Sequence, residues 1–299
     1  MALPHDELWP RAGGWPAPTA GEKADAVLLG VPTWRTSISA TGAHETPAAI
    51  RAALPRYSAA LMGPPAVDLN EALRIVDAGD VHEPDGDEGV ERAVQRVQDL
   101  AEDARLVIAL GGDNSLTYPV ARGAGANGLI TIDAHFDLRD GVSNGSPVRR
   151  LVQDAPDGQR IDPTRIVQIG IADFANSLAY AQRAADWGIR VITLDEVRRR
   201  GIAEVVIEAL DIAGAGSRIH LDIDVDAADR AVVPGCPASV PGGLAAWELR
   251  TLVRALAADS RIISADIAEV DATADAEDGR TVRLAALCVL ELLAGLAAR

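Results

Sequence analysis

The chain has 299 residues, 48% of them hydrophobic and 24% charged, a globular composition that excludes wholesale disorder. Its 28 Lys and Arg against 44 Asp and Glu give a net charge of −16, which argues against nucleic acid and anionic membrane as partners, because both are recognised through basic patches. Cys236 and Cys288, the only cysteines, make neither a disulfide framework nor a zinc–thiolate site and suit a reducing compartment.

Residues 1–23 are rich in Pro, Ala and Gly and contain no apolar stretch of signal-peptide length. They are expected to form a flexible or loosely packed extension. No apolar run reaches the roughly 18 residues of a membrane span, so a cytoplasmic protein is expected. Residues 26–31 (AVLLGV) read as a buried strand closed by Pro32. Residues 47–54 read as a helix with Thr46 as N-cap and Pro47 at its first position. Residues 73–76 form the next strand, 91–104 a helix, and 105–110 (RLVIAL) a strand running into Gly111-Gly112. Strands follow at 129–132, 165–171, 190–194, 218–225 and 261–267, with helices at 177–186, 203–212, 246–257 and 281–298. Alternating helices and unbroken Val/Ile/Leu strands predict an α/β fold, a three-layer αβα sandwich on a central, mostly parallel sheet. No repeat or linker divides residues 1–299, so one domain is expected. In such sheets the site forms at the carboxyl ends of the strands.

Acidic clusters sit at those ends. Asp133-Ala134-His135-Phe136-Asp137 follows one strand, and Asp133, His135 and Asp137 share period two. His220-Leu221-Asp222-Ile223-Asp224-Val225-Asp226 follows the same pattern, with Asp222 and Asp224 on one face. Burying several carboxylates is costly unless cations neutralise them. Four carboxylates and an imidazole suit two divalent cations, and an oxygen-rich set favours Mn²⁺ over Zn²⁺. A third strand end carries Gly111-Gly112-Asp113-Asn114-Ser115, where the glycines permit a tight turn and Asp113 or Ser115 can cap the next helix.

The ordered set GGDNS, DAHFD and DIDVD resembles the ureohydrolase (arginase/agmatinase) superfamily, whose pattern is GGDHS, DAHxD and SxDxD. The stretches around His44 (GAHETPAAIR) and Asp266-Ile267-Ala268-Glu269 are similar to further segments of that family, so the resemblance runs over nearly the whole chain. It implies one ureohydrolase-like domain of the arginase/deacetylase-like fold. Asp137-Leu138-Arg139 followed by Asn144-Gly145-Ser146-Pro147 resembles the formimidoylglutamase branch, as does the segment 168–177; the His-Gly usual in arginases is absent.

The resemblance implies two Mn²⁺ per chain, with Asp133 and Asp222 shared, Asp137 completing one site, and His135 and Asp224 the other. A water acidified between the ions would attack the amidine carbon. Asp137 would pass its proton to the leaving nitrogen, and Glu269 would hold the amidinium. Arg139 would bind a substrate carboxylate and repel a cationic substrate, with Asn144 and Ser146 as further polar contacts. Asn114 stands where the family has a histidine ligand, and its neutral amide is the weaker donor to Mn²⁺. That site is therefore expected to be weak or empty, unless His220, two residues before Asp222, compensates. The leading expectation is hydrolysis of N-formimidoyl-L-glutamate to L-glutamate and formamide, a reaction of histidine degradation. The alternatives are a guanidino hydrolase of the agmatinase or guanidinobutyrase type releasing urea, and a metal-poor non-catalytic homologue. Family members are commonly trimers or hexamers, so a homo-oligomer is expected.

Overall fold

The structure, a computed structural model, describes residues 6–299. Eight strands form one sheet: β1 Ala24–Val31, β2 Ile75–Asp80, β3 Ala104–Gly111, β4 Gly128–Ile132, β5 Ile166–Ile171, β6 Arg190–Thr193, β7 Ile219–Asp224 and β8 Ile262–Ala268. The order is β2-β1-β3-β8-β7-β4-β5-β6 and every pairing is parallel. Parallel neighbours need crossovers, and helices supply them: α1 Thr46–Ala53, α2 Gly86–Ala101, α3 Thr117–Gly123, α4 Pro147–Gln153, α5 Leu178–Trp187, α6 Leu194–Arg200, α7 Ile202–Ala213, α8 Ala246–Ala257 and α9 Arg280–Ala297.

Strand alternation divides the core between the two faces. Leu28, Ile108, Ile130 and Ile223 pack with residues of α1, α7, α8 and α9. On the other face, Leu29 and Val107 meet α2 and α3, while Leu129 and Ile166 meet α3, α4 and α5. Each such side chain, taken fully out of water, contributes about 1.5–3 kcal/mol. The expected three-layer sandwich is the observed one.

Local expectations needed correction where tertiary contacts intervene. Thr46 is not the N-cap of α1. Glu45 holds that position, and the Thr46 hydroxyl donates to the Val270 carbonyl. The second strand runs on to Asp80, because Asp77 and Asp80 are held there by the Arg51 guanidinium. Helix α2 starts at Gly86, five residues before the expected 91, and ends at Ala101 so that β3 can begin at Ala104. Part of the expected loose extension is anchored. Ala12 is fully buried and its amide donates to Tyr57 O, Asp77 N donates to Pro16 O, and Trp15 Nε1 donates to Asn70 Oδ1 at 3.0 Å. His5 lies outside the described residues. Among the described residues, no helix is long and apolar enough to cross a membrane.

Candidate metal centre

Strands β3, β8, β7 and β4 are consecutive neighbours at the middle of the sheet. Their carboxyl ends deliver Asn114, Glu269, Asp224 and Asp133 to one place, as open parallel sheets do. The ends of β1 and β3 also meet closely. A Cβ on Gly112 would lie 2.4 Å from Thr33 O, and Asp113 N donates to that same carbonyl. Asp113 caps the short turn that opens with Asn114, as expected.

After β4 the chain turns sharply. Asp133 Oδ1 accepts from His135 N at 2.6 Å and is 3.6 Å from His135 Nδ1. After β7 a single 3-10 turn, Val225–Ala227, carries Asp226 back toward β4. Its Oδ2 lies 2.7 Å from His135 Nδ1, and its Oδ1 accepts from Ala134 N at 3.0 Å. Ligand atoms of Asp133, His135 and Asp226 all fall within 4.8 Å of one another. Asp224 Oδ1 accepts from Asp226 N at 2.8 Å, which fixes the two carboxylates side by side. Asp133 Oδ2 is buried without a hydrogen-bond partner, an unmet demand for a donor or a cation. Two carboxylates and an imidazole, with Asp224 beside them, form a donor set that fits a divalent cation of the Mn²⁺ type.

The electrostatics agree with that demand. Burial pushes the Asp133 carboxyl well up, and Asp137 and Asp226 push it further. Asp224 is raised in the same way by burial and by Asp226, Asp133 and Glu269. Burial would lower His135, but the carboxylates of Asp226 and Asp133 outweigh it and raise the imidazole to about 12. Without a metal, the imidazolium is the cation this nest of acids can recruit.

Asp137 and Glu269 complete the floor. Burial lifts Asp137 to about 7 and Glu269 to about 8. Both sit at positive φ, +53° and +63°, a conformation that costs a non-glycine residue about 1–3 kcal/mol and concentrates at functional sites. Glu269 Oε1 accepts from Asn114 N and from Asn144 Nδ2, each at 2.8 Å, while Oε2 has no hydrogen-bond partner among the described residues. Above the floor opens a cavity of about 400 Å³, lined among others by His135, Asp137, Arg139, Asp224, Asp226 and Glu269.

The expected site residues therefore separate into groups. Asp133, His135, Asp137, Asp224 and Glu269 converge, and Arg139 reaches the cavity. Among the described residues Arg139 has no ion-pair partner; its neighbour Asp140 pairs instead with Arg183 at 2.8 Å. Asp222 does not line the cavity. Strand β7 continues through Asp224, so Asp222 stands about 6.6 Å further back, facing Asp266 and Thr131 on the adjacent strands. In place of the expected Asp222–Asp224 pair, this geometry brings Asp224 and Asp226 to the cavity.

His220 is not available to compensate for Asn114. Its Nδ1 meets Ser264 Oγ at 2.8 Å and its Nε2 meets Asp266 Oδ2 at 2.9 Å, fully buried between β7 and β8. Asn114 turns its amide nitrogen to Asp137 Oδ2 (2.7 Å), and its oxygen accepts from Thr117 Oγ1 (2.8 Å), so no amide oxygen faces the acids. Asn144 lines the cavity, but its side chain is spent on Glu269 and on Ile38 N. Ser146 is fully buried and its hydroxyl is spent on the Ser143 amide and carbonyl, so it offers nothing to a ligand.

Sequence reasoning missed Asp226 and Asn176. Asp226 carried a signal, since it continues the period-two acidic run. Asn176 falls in the segment 168–177 that resembles the formimidoylglutamase branch, but no spacing marks its amide. It ties its loop to the His135 segment by accepting from Phe136 N and donating to Ala134 O.

The chain matches the model of the Arginase family over residues 24–295. It is 34% identical over 282 residues to a formimidoylglutamase of Bacillus subtilis (strain 168), covering 90% of this chain and 86% of that one. The crystal structure of formimidoylglutamase from Bacillus subtilis subsp. subtilis str. 168 superposes with a TM-score of 0.89 at 30% identity, covering 99% of this chain and 94% of the other. A Trypanosoma cruzi formiminoglutamase solved with Mn²⁺ aligns with a TM-score of 0.82 at 27% identity, covering 92% of this chain and 94% of that one. With the acidic floor at the strand ends and a family match over most of its length, the chain belongs to the arginase family.

Proposed function

We propose that the chain is a manganese-dependent hydrolase of linear amidines that converts N-formimidoyl-L-glutamate and water to L-glutamate and formamide. One observation carries the choice of substrate: the unpaired Arg139 guanidinium stands in the same cavity as the acidic floor. A substrate with an amidine at one end and carboxylates at the other matches both. Agmatine, a dication without a carboxylate, would be repelled by Arg139 and leave it unused. The formimidoylglutamase names of the relatives support the same reading.

Asp133, His135, Asp224 and Asp226 would hold one Mn²⁺. Asp137, with Asp133 and Asp224, would hold a second more weakly, because Asn114 gives it no anionic or imidazole donor. Bound there, the metal supplies Lewis-acid polarisation and a water of lowered pKa. Glu269 receives the amidinium on Oε2, its other oxygen being anchored by Asn114 and Asn144. Asp137 takes the proton lost by the attacking water and returns it to the leaving nitrogen, which departs as the amine of glutamate. Arg139 forks a substrate carboxylate. Two free, buried thiols support a cytoplasmic setting, and family resemblance supports a homo-oligomer.

The test is turnover by manganese-reconstituted protein of formimidoylglutamate, agmatine, guanidinobutyrate and arginine. Formamide from the first alone is expected. Urea from a guanidino compound moves the assignment to that class, and no product from any of them overturns the hydrolase.

A further inference from the structure

We infer that Arg149 is a positioning residue, holding loop 137–145 in the shape that aims Arg139 at a substrate carboxylate. The inference rests on the reading that Arg139 meets that carboxylate.

Arg149 lies in the first turn of α4, nearly buried, and does not line the cavity. Its backbone amide donates to Asp137 O at 3.2 Å, its Nε to Arg139 O at 2.8 Å, and its Nη2 to Gly141 O at 2.7 Å. One residue thus gathers three carbonyls of the loop on the side away from the cavity. Asp154 fixes the guanidinium in turn through a two-point fork, Nη1 to Oδ1 at 3.0 Å and Nη2 to Oδ2 at 2.7 Å. Every guanidinium nitrogen is then committed, so Arg149 acts on a ligand only through the loop.

The loop needs such a hold. It opens with Asp137 at φ +53° and turns again at Gly141, φ +81°. Its far end closes against the Arg139 stem: Arg139 N donates to Gly145 O at 3.0 Å, and a Cβ on Gly145 would lie 2.8 Å from Arg139 Cδ. From α5, Arg183 Nη1 also donates to Leu138 O at 2.7 Å, so the carbonyls of residues 137, 138, 139 and 141 are all capped from the helices behind. Arg139 is left as the unpaired cation of the loop, facing the cavity. Lysine at position 149 keeps the charge but cannot make the fork and the carbonyl contacts together.

The experiment is a double-mutant cycle on manganese-loaded protein. Arg149→Lys and the milder Asp154→Asn are each made alone and in an Arg139→Ala background, with thermal melting to show that each variant folds. The readouts are Kd for L-glutamate by calorimetry, and KM and kcat for formimidoylglutamate and for N-butylformamidine, which has no carboxylate. The expected result is a roughly tenfold rise in glutamate Kd and formimidoylglutamate KM for Arg149→Lys. Asp154→Asn shows a smaller rise, and kcat stays within about twofold. Neither substitution has an effect on N-butylformamidine turnover or in the Arg139→Ala background. Equal effects in both backgrounds or on both substrates, or no effect at all, overturn the inference. Wild-type protein that binds glutamate but releases no formamide overturns the proposed reaction and leaves the glutamate arm to decide Arg149. Wild-type protein that binds no glutamate and releases no formamide overturns both, and where formamide is released without measurable glutamate binding the formimidoylglutamate KM decides Arg149.

Discussion

Asp226 and Asp222 make opposite predictions for metal binding, and conservative amides separate them. Asp226 Oδ2 lies 2.7 Å from His135 Nδ1, and its Oδ1 holds the Ala134 amide at 3.0 Å. Asp226→Asn keeps an acceptor for that amide and removes only the charge offered to the cation. Substituting a residue that merely supports a ligand weakens a metal site by about 10–100-fold. Loss of a direct carboxylate ligand should therefore cost at least about 100-fold, or roughly 2.7 kcal/mol. Asp222 stands one pleat behind Asp224, faces Asp266 and Thr131 and does not line the cavity, so Asp222→Asn, which removes no ligand, should weaken Mn²⁺ less, within the about 10–100-fold of a supporting residue. Chelator-stripped protein is titrated with Mn²⁺ while the electron paramagnetic resonance of the free ion is followed, and elemental analysis gives the stoichiometry. If Asp222→Asn loses manganese as severely as Asp226→Asn, or more so, the assignment made from the 3-10 turn is refuted and the Asp222–Asp224 pair returns.

Arg139→Ala should raise KM for formimidoylglutamate by roughly 10–100-fold, the loss of a charge-assisted hydrogen bond of about 1.5–3 kcal/mol, with kcat nearly unchanged; an unaltered KM removes Arg139 from substrate recognition. Asn114→His should tighten the weaker of two Mn²⁺ binding steps by about tenfold or more, because imidazole replaces an amide whose oxygen is committed to Thr117. A titration indistinguishable from wild type would count against that role. Metal-free protein should lose stability as pH rises from 5 to 8. Asp137 and Glu269 have folded values of about 7 and about 8, above their unfolded ones, so the native state binds more protons there and their stabilisation, full at low pH, fades as pH climbs through those values. Thermal melting should show Tm falling across that window, and saturating Mn²⁺ should reverse the trend; a Tm that rises with pH in the stripped protein contradicts the buried-acid picture.

The sheet was legible because strands buried on both faces leave continuous runs of Val, Ile and Leu whatever surrounds them, and Ala24–Val31 and Ala104–Gly111 fall within two residues of their expected bounds. The acidic segments were legible too, since carboxylates at period two directly after an apolar strand are buried together, and buried charge of one sign calls for a cation. Periodicity could not say where β7 stops. Asp222, Asp224 and Asp226 are equivalent in a repeat of two, and only the end of pairing at Asp224, followed by one 3-10 turn, separates the buried position from those that line the cavity. The same holds for polar residues whose partners lie far away in sequence. His220 is consumed by β8, which comes to lie beside β7 only through the crossovers, and the Asn144 amide is spent on Glu269, 125 residues away. Residues 11–16 look like a loose tail until Tyr57, Asn70 and Asp77 meet them. Local pattern records which groups are buried and how often. Which of them face one another depends on strand order and on where each strand ends, and those are set by the packing of the whole chain.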